Sequence, residues 1–189
     1  MSTIPAAQSN RFVRVSGLLA IIAGAVFLLA GGVTWGAVSS NLKAENISVS
    51  PDATMFGGQV VDTPWEAFAQ ADIINTHALH ATEGKTYAEV SSEAMALKEQ
   101  LTADGATADE IAADPELTAL NGQKATVMNG SFLRASLFTS VVAFGVAALV
   151  MGIGVVFGIV GFALRRLAST TETVAPIAAP ADENRLVRV

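Results

Sequence analysis

The stretch ASLFTSVVAFGVAALVMGIGVVFGIVGFAL (residues 135–164) decides the architecture, because its 30 residues include no Asp, Glu, Lys or Arg. At a helical rise of 1.5 Å per residue it extends about 45 Å, more than the roughly 30 Å hydrocarbon core of a bilayer. A second charge-free run covers 28 residues, 15–42, and its apolar part reads VSGLLAIIAGAVFLLAGGVTWGAV (15–38). Two such runs in a chain of 189 residues, 51% hydrophobic and 15% charged, exclude a soluble single-domain protein. The expected fold is a mainly α membrane protein with transmembrane helices at 15–38 and 135–164. They flank a small, mostly helical domain at 39–134, with a short N-terminal segment (1–14) and a C-terminal tail (165–189). A cleaved secretory signal competes for the first run, since Arg11 and Arg14 form a positive n-region and small residues follow Trp35. The apolar stretch outruns the usual signal core of about 7–15 residues, which favours an uncleaved helix.

Orientation follows from the basic residues, which accumulate on the cytoplasmic side of membrane helices. Arg11 and Arg14 precede the first span, and Arg165 and Arg166 follow the second directly. Residues 43–134 between them hold 14 acids and 5 bases, a net charge of −9, against +3 for the two outer segments. Both termini are therefore expected in the cytoplasm of a two-span plasma-membrane protein, with an acidic domain outside. Trp35 and Arg134 would mark the outer boundary as interfacial anchors.

Neither span carries an ionisable residue or a histidine, so proton relays, ion pathways and intramembrane haem ligation within this chain are excluded. Zero cysteine excludes disulfides, thiolate zinc sites, iron–sulfur clusters and covalent haem attachment. The spans are instead rich in glycine. Gly17, Gly24 and Gly31 recur every seven residues, followed by Gly32-x-x-x-Gly36; the second span has Gly145, Gly152, Gly154, Gly158 and Gly161. Small residues at these spacings let helix backbones approach closely. Packing of the two spans on each other and association with a larger helical partner are both open at this point.

Between the spans, ENISVSPDATMFGGQVV (45–61) reads as an extended segment or small hairpin broken by Ser-Pro-Asp and Gly-Gly. Three capping boxes follow: Thr63-Pro64-Trp65-Glu66, Thr86-Tyr87-Ala88-Glu89 and Thr107-Ala108-Asp109-Glu110. They predict helices ending near Gly84, Gly105 and Asp114-Pro115, after which residues 117–135 lead into the second span. Residues 91–120 hold few large apolar side chains, as a solvated excursion or a surface ordered against a partner would. The tail from 167 cannot build a core and is expected to be mobile alone.

His77 and His80, the only histidines, stand three residues apart on the first predicted helix, with Glu83 one further step of three. Two imidazoles and a carboxylate on one face match the donor set of a zinc or iron site, although a metal site draws ligands from more than one element. Packed or surface histidines are the simpler reading. There is no G-x-S-x-G elbow, no Walker A loop and no dinucleotide fingerprint. The acidic domain excludes a nucleic-acid footprint.

The stretches GGVTWGAVSS (31–40), INTHALHATEGKTYAE (74–89) and NGSFLRASLFTSVVAFGVAALVMGIGV (129–155) resemble a family of small two-span membrane proteins of actinobacteria, whose members are often labelled aromatic ring-opening dioxygenases. The likeness covers about Arg11 to Arg166, with residues 91–122 as a variable insertion. That label implies a metal-dependent enzyme using His77 and His80. The chain is also similar to a small accessory subunit of the actinobacterial cytochrome bc–cytochrome c oxidase supercomplex. This second resemblance implies a non-catalytic protein with no cofactor of its own; haem, copper and menaquinone would reside only in partner subunits. Its partners would be those subunits, lipids and a cytochrome c domain near the acidic outer face. A free-standing envelope scaffold protein is the remaining alternative.

Overall fold

The computed structural model describes residues 6–170, and side chains from Arg11 to Ser169. Among them the chain is mostly helical: α1 (Ala6–Ala44), α2 (Pro64–Ala81), α3 (Tyr87–Ala103), α4 (Ala108–Ala113) and α5 (Pro115–Thr170). Residues 1–5 of the predicted N-terminal segment and 171–189 of the predicted tail lie outside the described residues, and α1 and α5 extend past the predicted span limits at both ends. Stretches of α1 and α5, Arg11–Ala44 and Pro115–Ser169, are long and apolar enough to cross a membrane. Their most apolar windows have mean hydropathies of 2.3 and 2.5, yet only 11% and 17% of those residues are buried. A soluble core helix of that composition would be mostly buried; these present their apolar side chains outward.

Contacts divide the chain into two compact units. One is formed by the described residues up to Ala30 with those from Val150 on, and the other by Gly31–Leu149. In the first, α1 and α5 approach at glycines, and the Phe27 and Phe157 rings meet edge to face at 5.8 Å. In the second, Val49, Val61, Ala67, Ala71, Leu137 and Phe144 are almost fully buried in one core with Leu42. Trp35 stacks on Phe144 at 4.7 Å between ring centroids.

The sequence chemistry accounts for the elements of this second unit. Residues 47–61 form a small hairpin-like loop with a single antiparallel bridge, Ser48 to Val60. Here Val49 N–H donates to the Gln59 carbonyl at 2.8 Å and Val61 N–H to the Ile47 carbonyl at 2.9 Å. Phe56 takes φ +62° to close this loop, which a non-glycine residue adopts only at a conformational cost. Each of the three threonines caps its helix with the glutamate three residues on, so both boxes of hydrogen bonds form. Gly84 (φ +84°) and Gly105 (φ +86°) supply the left-handed turns after α2 and α3. Asp114 ends α4 and also starts α5, its carboxylate accepting from Leu117 N–H at 2.8 Å ahead of Pro115 at the first helical position.

Small residues set how closely α2 lies on α5. After Pro64 and Glu66 in its first turn, the buried positions of α2 are Ala67, Ala69, Ala71 and Ala78, and a Cβ on Gly130 of α5 would stand 3.0 Å from the Ala78 methyl. Nearer the N-terminus of α2, the Phe68 ring meets Phe138 of α5 at 5.8 Å. Contacts 78 to 130 and 68 to 138 define an antiparallel pair, with α2 starting beside the apolar end of α5.

Candidate functional site

The histidine pair lies on the exposed side of α2. His77 Nε2 is 2.7 Å from Asp52 Oδ2 in the preceding loop, and both side chains are half or more exposed. The hydrogen bond from His77 holds the Asp52 carboxyl below the usual carboxylate range. His80 is also exposed, one turn further along. Glu83 does not continue this stride: α2 ends at Ala81, Thr82 caps it with its hydroxyl donating to the Ala78 carbonyl, and Glu83 itself takes φ +54°. The helical spacing that placed Glu83 with the histidines therefore stops two residues short of it. Among the described residues no three His, Asp or Glu side chains gather where one metal ion would touch them all. The metal that the dioxygenase label implies thus meets one His–Asp pair, short of the three protein ligands such sites use. Asp52 was not legible as a partner of His77, being 25 residues away in a Ser-Pro-Asp turn.

The glycines fall into two sets. Gly17, Gly24, Gly154 and Gly161 face the opposing helix so closely that an added Cβ would sit 2.5–2.7 Å from a backbone carbonyl across the contact. Gly31 is buried as well. By contrast a Cβ on Gly32, Gly36, Gly145, Gly152 or Gly158 would meet nothing within 4 Å. The heptad-spaced glycines of α1 thus serve packing inside the chain, whereas the Gly32-x-x-x-Gly36 face is open. Gly154-x-x-x-Gly158 is split: the Gly158 backbone lines the Gly24 contact, but its own Cβ direction points away.

The residues expected to anchor the spans have distinct surroundings. Trp35 is an integral part of the core through Phe144 and is more than a surface anchor. Arg134 lays its guanidinium 5.7 Å from the Phe138 ring centroid, and Arg166 lies 5.2 Å from Phe162, both within the cation–π range. Arg11, Arg14 and Arg165 are exposed at the other ends of the apolar helices. Elsewhere, α3, α4 and the start of α5 frame an open groove lined by Ala94, Met95, Ile111 and Leu117 with Lys98 and Lys124 at its sides. Only Val90 and Ala94 of α3 are buried, and no residue of α4 is, so residues 91–113 contribute little to the core.

The acidic character of residues 43–134 is spread over exposed positions, with few compensating pairs. Lys85 bridges Glu93 at 2.7 Å, which raises the Lys85 ammonium above its ordinary range, and Lys43 bridges Asp62 at 2.9 Å. Most of the 14 acids are exposed, so these residues carry a negative field around them. No protein-family model matches the chain, and no curated protein or solved structure matches it significantly.

Proposed function

We propose that this chain is a non-catalytic accessory subunit of a membrane respiratory complex, most concretely an actinobacterial menaquinol:cytochrome c reductase–cytochrome c oxidase supercomplex. In this reading α1 and α5 cross the plasma membrane with both termini in the cytoplasm, and the acidic residues 43–134 lie outside. The observation that carries it is the second set of glycines. A Cβ on Gly32, Gly36, Gly145 or Gly152 would meet nothing within 4 Å among the described residues, and small residues on apolar helices are the surfaces on which neighbouring helices pack closely. The resemblance of the chain to an accessory subunit of that assembly supplies the complex; the open glycine faces supply the means of attachment. Haem, copper and menaquinone then belong to the partner subunits. The net −9 domain adds a negative surface that steers a basic cytochrome c domain, a rate effect sensitive to ionic strength.

Leucine at Gly32 and Gly36 tests the attachment, because the Cβ of each new side chain would have open space around it among the described residues. The double variant Gly32→Leu/Gly36→Leu should remain folded and membrane-bound but dissociate from the respiratory complex in mild detergent. Unchanged co-fractionation of the variant would rule out this face as the attachment surface. Reversing several outer acids with no change in oxidase turnover or in its salt dependence would remove the steering role.

A further inference from the structure

We propose that the N-terminal end of α2 is a membrane-interface anchor, with Trp65 inserted in the outer headgroup layer of the bilayer and Phe68, beside Met55 of the preceding loop, at the aqueous edge of that layer. This rests on the two-span reading of α1 and α5 and deepens it. Trp65, Met55 and Phe68 are 66%, 59% and 50% exposed, the first and last in the opening turns of α2 and Met55 in the loop before it. Trp65 and Phe68 are three residues apart and so share a face, and Met55 and Phe68 line one shallow depression.

The identity of what covers them follows from depth along α5. The charge-free run 135–164 is about 45 Å long, some 15 Å more than a hydrocarbon core requires. The last 20 of its residues, 145–164, already span about 30 Å, and on α1 residues 15–34 do the same. Each count ends at one member of the Trp35–Phe144 pair, which places the outer limit of the hydrocarbon at that stacked pair. The remaining residues 135–144 are apolar because Leu137, Phe138, Val141 and Phe144 pack against α2 and the 47–61 loop. Since α2 runs antiparallel to α5 with Phe68 beside Phe138, its first turn reaches deepest. Phe68 then lies about 9 Å outside Phe144, at the aqueous edge of a polar layer about 5–7.5 Å deep on each side, and Trp65, three residues or about 4.5 Å deeper, lies within that layer. Tryptophan favours this layer. An exposed tryptophan at this level, with an exposed phenylalanine one turn further out, fits a lipid-headgroup occupant.

The chain has no cysteine, so single nitroxide labels report each position separately. The full chain, carrying Trp65→Cys or Phe68→Cys, is reconstituted in vesicles of phosphatidylcholine and phosphatidylglycerol. Collision with dissolved oxygen, which concentrates in lipid, is compared with collision with an aqueous nickel chelate. Val156→Cys, 57% exposed in the middle of α5, and Ala108→Cys at the exposed start of α4 are the reference sites. Labels at 65 and 68 should give an oxygen-to-nickel ratio between the two references and well above that at 108. A ratio equal to that at 108 overturns the anchor while a lipid-like value at 156 keeps the two-span reading. A label at 65 reached by neither reagent overturns it in favour of a protein contact. A water-like ratio at 156 removes the two-span reading and the anchor together.

Discussion

Substitution of Gly24 by alanine separates packing inside the chain from every other role of its glycines. A Cβ there would stand 2.5 Å from the Gly154 carbonyl oxygen and 2.9 Å from the Gly158 nitrogen. The first distance is about 0.9 Å inside the 3.4 Å limit of ordinary contact, and both atoms are backbone, so no side chain can swing aside. The helices must move apart, losing dispersion contacts along the whole seam. Gly32→Ala is the matched control, since its Cβ meets nothing. Both substitutions gain the same helix propensity, about 0.5–1 kcal/mol, so the difference between them isolates the clash. Overpacking of this kind costs about 1–3 kcal/mol. Cysteines placed at exposed Leu18 and Phe162 and labelled for energy transfer report the separation of α1 and α5 during an SDS titration in mixed micelles. Gly24→Ala should lose transfer at lower SDS than Gly32→Ala. Coincident titrations of the two variants would refute the packed seam.

Three further outcomes are expected. Phe144→Ala removes a 1% exposed ring stacked on Trp35, and should cost about 3–5 kcal/mol in thermal unfolding while shifting the Trp35 emission; a loss under 1 kcal/mol would mean the ring is not in a core. The Glu89 and Glu110 carboxyls lie below their ordinary range, chiefly because each accepts from the backbone N–H of its capping threonine and then from its hydroxyl. Their support of α3 and α4 is therefore fully present above the unfolded carboxylate value and is lost as pH falls through the depressed folded one. In an acid titration of helical ellipticity, Glu89→Gln/Glu110→Gln should show a smaller acid-dependent change than the parent chain, and an identical change would contradict the capping account. Metal analysis of the purified chain should give less than one zinc or iron per chain with no further loss in His77→Ala, whereas stoichiometric metal that disappears in His77→Ala would favour the enzymatic reading.

Local chemistry made much of the fold legible. The three threonine–glutamate boxes and the glycines at 84 and 105 each act within a few residues, and α2, α3 and α4 start, and α2 and α3 stop, where those residues require. The charge-free runs at 15–42 and 135–164 instead lie inside α1 and α5 without setting their ends. Asp114-Pro115 was readable as a break but is equally a start, because an aspartate can end one helix and cap the next. What stayed hidden depends on contacts between distant segments. Glycine spacing could not tell which of Gly24 and Gly32 meets α5, since the choice is made by the rotation of α1 about its axis. Nor could a charge-free run distinguish lipid from protein as its cover, so Leu137 and Phe144 looked like membrane residues yet pack under α2. The Asp52–His77 pair joins a loop to a helix and has no local signature at all.

The most direct measurement of the proposed role is purification of the full chain in mild detergent through a tag at its C-terminus, followed by haem absorbance and identification of the accompanying chains. The account expects reductase and oxidase subunits in fixed proportion to the tagged chain, with haem absorbance that follows them. A chain that elutes alone and free of haem, from membranes in which the intact supercomplex is recovered separately under the same detergent, would contradict it.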